Sequence, residues 1–367
     1  MRKISIIDPV GIKAGLDLYD LCLAKGLVKQ DCEVSIFSNF EGDVFNVHIR
    51  KVFDFHVRNS LIAATRIMLR IFRVLKKEKS QHTDVIILHV FHSSLFDYLI
   101  ISQAAKLGFT VCIILHDIES LVFANRKSWL SQCTAKCSRI VVHNLSSFEE
   151  LKKRISRNSM KKVSVLPHGN YVDEAVRISR SDCLVRFGLK EGDAFILFFG
   201  MIKKSKGLEV AIEALAELPS RFHLVVAGRI RDVDFEYFRE RIRRLNLNAR
   251  VHEIIRYISN EERRMLFSIA DVAVLPYSRI YQSGVAVYAM SNGIPVIASA
   301  LPAFREMISD GINGLLFEPG NAGELAKRIT EVVNRDDFSK SLADKAQKFM
   351  QVEHNWDEIS KLLLKEL

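Results

Sequence analysis

The sequence predicts an α/β protein made of two successive doubly wound units. Short apolar runs alternate with longer amphipathic segments, a pattern typical of parallel strands joined by helices. The alternation pauses in a polar stretch and then restarts near residue 195. A chain of 367 residues is also long enough for two domains that each bury a core.

The first unit is predicted from its short apolar runs, which we interpret as strands. These strands lie at residues 4–7, 33–37, 85–90, 110–115, 139–143 and 163–166. Helices are predicted between them at residues 16–29, 61–79 and 95–107. The first domain is therefore expected to cover residues 1–175.

The second unit repeats the pattern after a polar connection at residues 172–193. Its strands are predicted at residues 195–199, 223–227, 251–255, 272–275 and 296–297. Its helices are predicted at residues 208–216, 235–245, 260–269, 284–292 and 321–333. The second domain is expected to cover residues 186–345, and residues 346–367 are expected to form a tail helix.

Cysteine usage and hydropathy narrow the class of protein. The six cysteines lack paired metal-ligand spacing, so we expect free thiols in a reducing cytoplasm and no metal site. The first residues lead directly into a strand rather than into a secretory apolar segment. The most apolar stretch, residues 85–105, carries His89, His92 and Asp97, which are too polar for a membrane span. We therefore expect a soluble or peripheral protein.

The net charge of +10 is unevenly distributed. Residues 1–180 hold 27 Lys and Arg against 17 Asp and Glu, whereas the remaining residues are balanced. Basic residues without interleaved aromatic residues or a known reading motif do not indicate nucleic-acid binding. No Gly-x-Gly-x-x-Gly follows a strand, which disfavours a nicotinamide-dependent oxidoreductase.

Polar residues directly after the predicted strands are the candidate site, because ligands of open parallel sheets bind beyond the carboxyl ends of the strands. The first half places His and Asp there, and the second half places Lys, Arg and Gly, which suit phosphate. We therefore expect an anionic donor in the second domain and acceptor chemistry in the first.

Several motifs in the second half resemble a known family. They are residues 270–277, Ser283-Gly284, residues 293–299 and 306–316, Phe199-Gly200, Lys206-Gly207 and Asn355-Trp356. In this order they resemble the GT-B glycosyltransferases, in particular the large retaining family of bacterial polysaccharide and lipopolysaccharide enzymes (group 1 glycosyltransferases). The resemblance implies two facing Rossmann-like domains, with the acceptor in the first and a UDP- or GDP-linked sugar in the second. It implies no metal and no further cofactor, and a tail helix that crosses back to the first domain.

The resemblance also assigns roles in the donor domain. Lys206 matches the lysine that reaches the donor diphosphate, where negative charge develops as the leaving group departs. Gln282, Ser283 and Gly284 open a helix whose N–H groups would face the same diphosphate. The remaining expected donor contacts are Gly15, Gly200, Arg229, Tyr257, Tyr277 and Tyr288.

The chain departs from the family pattern at three positions. Met201 stands where the family usually carries a second cation, and Lys203, Lys204 or Arg229 are the candidates to replace it. Ile280 and Tyr288 stand where the family has a Glu-x7-Glu pair, as in a divergent Gln-Ser-Gly subgroup. Retention follows from the resemblance, but without these glutamates inversion also stays open.

In the first domain, His116 and Asp117 end the fourth main strand. If the enzyme inverts, Asp117 is the candidate general base; if it retains, both residues position the acceptor or the sugar. The alternative for this pair is a strand-end cap with a satisfied imidazole. His92 is a candidate acceptor contact, and a packing role is equally open for it.

The helix predicted at residues 61–79 carries a basic stripe. Its members are Arg66, Arg70, Arg73 and Lys77. On this basis we expect the protein in the cytoplasm, peripherally associated with the inner face of the cell membrane through anionic lipid. The alternative is an ordinary solvated helix face.

The resulting hypothesis is a metal-independent hexosyltransferase in bacterial polysaccharide biosynthesis. It would move a sugar from a nucleotide sugar to a lipid-linked oligosaccharide or glycolipid at the membrane surface. The competing hypothesis is a catalytically degenerate relative that regulates or scaffolds a partner transferase.

Overall fold

The fold is described from a computed structural model over residues 1–13, 15–54, 60–91, 93–118, 129–174 and 178–367. The chain forms two compact units. Unit 1 comprises residues 1–169 and 354–367, and unit 2 comprises residues 170–353. Among the described residues, no helix combines the length and apolar character needed to cross a membrane.

Unit 1 contains an eight-stranded sheet in the order β3-β4-β2-β1-β5-β6-β7-β8, parallel except for the β3–β4 pair. Its strands are β1 (Arg2–Ile7), β2 (Cys32–Ser38), β3 (Gly42–Val44), β4 (Val47–Lys51), β5 (Val85–Val90), β6 (Thr110–Leu115), β7 (Arg139–Val142) and β8 (Val163–Val165). Its helices are α1 (Asp17–Val28), α2 (Ser60–Ser80), α3 (Leu95–Lys106), α4 (Leu130–Lys136), α5 (Leu145–Lys152), α6 (Arg157–Met160) and α15 (Trp356–Glu366).

Unit 2 contains a six-stranded parallel sheet in the order β11-β10-β9-β12-β13-β14. Its strands are β9 (Ala194–Phe199), β10 (Phe222–Ala227), β11 (Val251–Ile254), β12 (Val272–Leu275), β13 (Val296–Ser299) and β14 (Leu315–Phe317). Its helices are α7 (Arg180–Phe187), α8 (Leu208–Ala216), α9 (Glu236–Arg244), α10 (Asn260–Ile269), α11 (Gly284–Ser291), α12 (Pro302–Arg305), α13 (Ala322–Val333) and α14 (Asp336–Glu353).

Local signals explain where these elements begin. Ser94 accepts a hydrogen bond from the Asp97 N–H, and Asp97 accepts from the Ser94 N–H in return, so a capping box starts α3. Ser259 and Glu262 form the same arrangement at α10. The central strands β5, β6, β9 and β12 are buried runs of mostly aliphatic and aromatic residues, as parallel strands covered on both faces require.

The antiparallel pair β3–β4 was not predicted from the sequence. Its two-residue turn places Phe45 and Asn46 at positive φ, 52° and 62°, which is the geometry of a type I′ hairpin. Such a turn is usually recognised in a sequence by the dipeptide Asn-Gly or Asp-Gly, and this chain has Phe-Asn instead.

Two predictions about connections were wrong in detail. Residues 172–193 were expected to be a polar connection, but they contain α7, whose Arg180 lies 3.0 Å from the carboxylate of Asp271. Residues 346–367 were expected to form one tail helix, but α14 ends and α15 begins within them. Asn355 separates them by accepting hydrogen bonds from the N–H groups of Asp357 and Glu358, the cap of α15.

The tail helix α15 packs against α1 within unit 1, which confirms the predicted crossing. The Gly26 Cα on α1 lies so close to the Trp356 carbonyl and the Ser360 hydroxyl that a methyl group would overlap with both. Lys29 forms an ion pair with Asp357 at 3.0 Å. The predicted architecture, two Rossmann-like parallel-sheet domains with a returning tail, is therefore the one observed.

Candidate functional site

In unit 2, the loops after β9, β10 and β12 converge at the carboxyl edge of the sheet. A methyl group at Gly228 would overlap with the Gly200 carbonyl oxygen, and one at Gly207 would overlap with the carbonyl oxygen of Pro276. A methyl group at Gly200 would lie 3.3 Å from a side-chain carbon of Val285, in the first turn of α11. Glycines at these points let three loops and a helix N-terminus share one small region.

Lys206 is held in this region by an aromatic ring. Its Nζ lies 3.6 Å from the centre of the Tyr277 ring, a cation–π geometry. The Ser278 N–H donates to the Ser205 carbonyl at 3.0 Å, which ties the lysine loop to the loop after β12. Tyr277 is 1% exposed, and burial raises the pKa of its phenol. The ring is therefore a neutral platform under the ammonium group.

The N-terminus of α11 adds backbone donors at the same edge of the sheet. Ser283 caps the helix by accepting a hydrogen bond from the Ala286 N–H at 3.3 Å. Gly284 begins the helix, and the partly buried Gln282 precedes the cap. A helix N-terminus next to a lysine is suited to an anion such as a diphosphate.

A second cation lies near the loop after β11. The Arg229 guanidinium carbon is 5.4 Å from the centre of the Tyr257 ring, and Tyr257 is 40% exposed. Neighbouring Arg256 is paired with Glu262 at 2.6 Å. Among the sequence candidates for the second cation, Arg229 lies beside Tyr257, a predicted donor contact. The backbone N–H of Lys204 instead donates a hydrogen bond to the Asp232 carboxylate.

The two positions at which the family has its Glu-x7-Glu pair, Ile280 and Tyr288, carry no acid in this chain. Tyr288 is 4% exposed, and its ring packs against Phe267 at 4.8 Å and beneath the Arg263 guanidinium at 4.5 Å. Ile280 is partly buried in the loop before α11. The Tyr288 side chain thus fills space between α10 and α11, and its role toward the donor stays a prediction.

In unit 1, the structure separates the predicted pair at the end of β6. His116 is 2% exposed and stacks on Phe91, with ring centres 4.6 Å apart. Asp117 is partly exposed. Of the two side chains, Asp117 is the one that reaches solvent, whereas His116 is enclosed within unit 1. The predicted acceptor contact His92 lies outside the described residues.

A column of histidines surrounds Tyr19 at the same edge of the sheet. Each of the adjacent strands β5, β6, β7 and β8 places one imidazole at or near its carboxyl end. These are His89, His116, His143 and His168, with ring centres 4.9–5.8 Å from that of Tyr19. Burial lowers the pKa of all four, that of His143 to about 4 and that of His168 to about 3.

Sequence analysis missed the acids of this cluster. Asp8, after β1, and Asp20, on α1, are both fully buried. Asp8 accepts hydrogen bonds from the N–H groups of Val10 and Gly11, each at 2.8 Å. Burial and the neighbouring Asp20 raise the pKa of Asp8 to about 7. An aspartate inside the apolar run of α1 was the available signal for such a cluster.

The loop that Asp8 holds contains the predicted donor contact Gly15. This glycine has φ +72°, which favours glycine, and a methyl group there would meet open space. The conformation of the backbone, rather than crowding within unit 1, therefore accounts for the residue type.

The predicted basic stripe on α2 is largely exposed. Arg66, Arg73 and Lys77 face solvent, while Arg70 donates to the Val52 carbonyl at 2.9 Å and to the Asp54 carboxylate at 3.0 Å. Three of the four predicted basic residues are therefore available on the surface.

Two Rossmann-like units, with a lysine and a helix N-terminus at the carboxyl edge of the second, define the GT-B fold class. The model of the family described as "Glycosyl transferases group 1" matches residues 147–349, more than half of the chain. The chain therefore belongs to the group 1 glycosyltransferases, and the predicted family is confirmed.

Solved structures agree with this fold over the whole chain. A sucrose-phosphate synthase from Thermosynechococcus elongatus superimposes with a TM-score of 0.79 at 18% identity, covering 100% of this chain and 98% of its own. HepE from Anabaena, in complex with UDP-glucose, gives 0.78 at 17% identity, covering 100% and 99%. WaaG, a glycosyltransferase involved in lipopolysaccharide biosynthesis, gives 0.69 at 16% identity, covering 99% and 98%.

Curated relatives match a smaller part. A glycosyltransferase of Methanocaldococcus jannaschii is 27% identical over 195 residues, which is 52% of this chain and 47% of the relative. A D-inositol 3-phosphate glycosyltransferase of Geodermatophilus obscurus is 25% identical over 214 residues, 56% of this chain and 47% of the relative. The chain thus matches about half the length of these relatives.

Proposed function

We propose that this transferase moves a hexosyl group from a UDP- or GDP-linked sugar to a lipid-linked oligosaccharide or glycolipid, at an anionic membrane surface in bacterial polysaccharide biosynthesis. The observation that carries the donor half is Lys206, whose Nζ lies 3.6 Å from the ring centre of Tyr277, beside the capped N-terminus of α11. HepE, which shares the fold, is described in complex with UDP-glucose, and this supports a nucleotide sugar as donor.

The leaving diphosphate gains negative charge as the glycosidic bond breaks. A fixed ammonium group and the first N–H groups of α11 stabilise that charge more in the transition state than in the ground state. Arg229 supplies a further positive charge at the neighbouring loop. With these groups in place, the leaving group is stabilised by side chains and backbone of this chain, and the proposed reaction proceeds without a metal ion.

The acceptor side of the proposal rests on Asp117. Its carboxylate follows β6 and is partly exposed, so it is the side chain of the His116–Asp117 pair that can take a proton from an acceptor hydroxyl in an inverting reaction. In a retaining reaction the same carboxylate orients the acceptor. The anomeric configuration of the product, read by NMR, distinguishes these two roles.

The membrane half of the proposal rests on the surface of α2. Ile62 and Leu69 are 47% and 48% exposed, and they share the solvent-facing side of α2 with Arg66, Arg73 and Lys77. Leu95 and Leu99 of the adjacent helix α3 are also exposed, at 43% and 37%. Apolar side chains among basic ones are what an interfacial helix presents to acyl chains and anionic headgroups.

Donor binding is tested by thermal unfolding with individual nucleotide sugars in the presence of a metal chelator. We expect one UDP- or GDP-linked sugar to raise the midpoint, because a ligand that binds only the folded state stabilises it. Radiolabelled sugar should then pass from that donor to a lipid extract. Absence of stabilisation by every nucleotide sugar would instead favour the degenerate regulator.

Membrane binding is tested by sedimentation with phosphatidylglycerol-containing vesicles. Changing Arg66, Arg73 and Lys77 to Glu should weaken binding by more than about 100-fold, since each basic residue contributes about 1 kcal/mol near an anionic surface. A matched variant changes three exposed lysines of α14 in unit 2 to Glu: Lys340, Lys345 and Lys348. Equal losses in both variants would show that overall charge, and not α2, governs binding.

A further inference from the structure

A chain of buried polar contacts runs from His116 to the loop after β1. His116 Nε2 lies 2.8 Å from His89 Nδ1, and His89 Nε2 lies 2.7 Å from Asp20 Oδ1. The buried Asp20 also raises the pKa of Asp8, whose oxygens accept hydrogen bonds from the N–H groups of Val10 and Gly11. The side chains of His89 and Asp20 are 1% and 0% exposed, so water does not complete their hydrogen bonds.

The His89–Asp20 contact is at hydrogen-bond distance, although its angles depart from the ideal. Among the described residues, His89 Nε2 and the Asp20 oxygens have no better placed partner. Buried polar atoms that lack a partner are costly, so these atoms satisfy one another.

Counting hydrogen-bond donors and acceptors shows which group donates at each step of this series of contacts. Asp8 and Asp20 are both fully buried, and two neighbouring buried carboxyl groups repel each other strongly when both are ionised, so the pair keeps one proton. Asp8 receives two backbone N–H groups at 2.8 Å, which stabilise its anion. The proton therefore belongs to Asp20.

The tautomers of both histidines follow from that assignment. Asp20 Oδ1, the oxygen that lies 2.7 Å from His89 Nε2, then accepts the proton of that nitrogen. His89 Nδ1 then carries a lone pair and accepts from His116 Nε2, since a neutral imidazole has one donor and one acceptor nitrogen. Burial lowers the pKa of both imidazoles, in keeping with neutral rings.

We propose that Asp20 and His89 are positioning residues that lock His116 in the Nε2–H tautomer, with the lone pair on Nδ1, and that Asp20 is the protonated member of the buried Asp8–Asp20 pair. The same series of contacts joins the backbone after β1 to the end of β6, where Asp117 follows His116. It thereby fixes two strand ends of unit 1 relative to each other. Its effect on rate rests on the proposed function, whereas the tautomers do not.

The tautomers are measured directly by long-range ¹H–¹⁵N correlation of ¹⁵N-histidine-labelled full-length protein. In the unmodified protein, Nε2 of His89 and of His116 should resonate as protonated nitrogens, and each Nδ1 as a bare nitrogen. A bare Nε2 on either ring would overturn the proposal. This measurement needs no variant and no substrate.

Two substitutions of similar size separate the neutral acid from an anion. In Asp20→Asn the amide oxygen still accepts from His89 Nε2, and the side chain stays neutral, so the spectrum should be preserved. Asp20→Leu removes this acceptor, so the two rings should show mixed tautomers. If Asp20→Asn disturbs the rings as much as Asp20→Leu does, an amide cannot replace the Asp20 carboxyl group, and the assignment of the proton to Asp20 is wrong.

Sugar-transfer kinetics then test the consequence. Asp20→Leu should lower kcat by up to about 100-fold with little change in donor KM, as expected when reacting groups are displaced by about 1 Å. Asp20→Asn should retain most of the rate. Equal rates in all three proteins would refute a positioning role. An unmodified protein that transfers no sugar would refute the proposed function while the tautomer result stands.

Discussion

Gly207 is the position where a single methyl group should separate crowding from backbone conformation. Its φ is +66°, and a Cβ there would overlap with the Pro276 carbonyl oxygen, in the segment that precedes Tyr277. Gly188, at the end of α7, has the same φ of +66° but nothing within 4 Å of its Cβ. The two glycines therefore form a matched pair.

The expected magnitudes differ accordingly. Alanine at Gly188 should cost about 1–2 kcal/mol of unfolding free energy, the penalty for an L-residue in the left-handed region. Alanine at Gly207 should cost about 2–5 kcal/mol, because an overlap with backbone adds about 1–3 kcal/mol to that penalty. Relief of the overlap moves Lys206, and a shift of about 1 Å at a charge-stabilising group lowers kcat by about 100-fold.

Urea unfolding and steady-state sugar transfer measure these two effects on the same preparations. We expect Gly188→Ala to lose stability with an unchanged kcat, and Gly207→Ala to lose more stability and most of its kcat. Indistinguishable variants would refute the reasoning that the contact with Pro276 fixes the lysine loop.

Three further outcomes follow from the structure. Lys206→Met should lower kcat by about 100- to 1,000-fold, the loss typical of removing one charge-stabilising group. Its melting temperature should stay close to that of the unmodified protein. A kcat within a few-fold of that of the unmodified protein would show that Lys206 has no part in the reaction. Unit 1 should lose stability as the pH falls from about 6.5 toward 4. The pKa of His143 is lowered to about 4 and that of His168 to about 3, so the unfolded chain takes up protons before the folded one does. Each histidine then lowers the free energy of unfolding by about 1.4 kcal/mol per pH unit. The raised pKa values of Asp8, to about 7, and of Asp20 act with the opposite sign over the same range, whereas the lowered pKa values of His89 and His116 add to the loss. Equilibrium unfolding at a series of pH values should therefore show a net loss on acidification, and a flat profile would contradict four neutral imidazoles. Gly169→Ala should destabilise unit 1, because a methyl group there would overlap with the Trp356 ring; proteolysis of α15 at an unchanged rate would show that the ring can move aside.

The sequence predicted the main strands well because each is a compact apolar run. β5, β6 and β12 begin and end at the predicted residues. The short helices α5, α6 and α12 were missed, since four to eight residues are too few to display a helical period. β14 spans Leu315–Phe317, three residues within a recognised motif, and no alternation marks it as a strand.

The candidate site was predictable in unit 2 and only partly in unit 1, for a topological reason. Lys206, Ser283 and Gly284 belong to contiguous motifs, so their proximity to a strand end can be read locally. The histidine column instead depends on the spatial order β5-β6-β7-β8 and on α1 lying over it, which no single segment encodes. The buried acids Asp8 and Asp20 become meaningful only when those strands are neighbours.

The burial pattern of α2 bears on whether its basic stripe is a solvated face. Ile71, Val74 and Leu75 are buried and account for the side of α2 that packs within unit 1. Ile62 and Leu69 are about half exposed, although fully burying such a side chain is worth roughly 1.5–3 kcal/mol. A helix face that contacts only water has no use for these exposed apolar side chains. These side chains lie among exposed arginines, so a single surface can combine apolar insertion with attraction to anionic headgroups. That combination, more than the charge excess, is the feature of α2 on which the proposed membrane association rests.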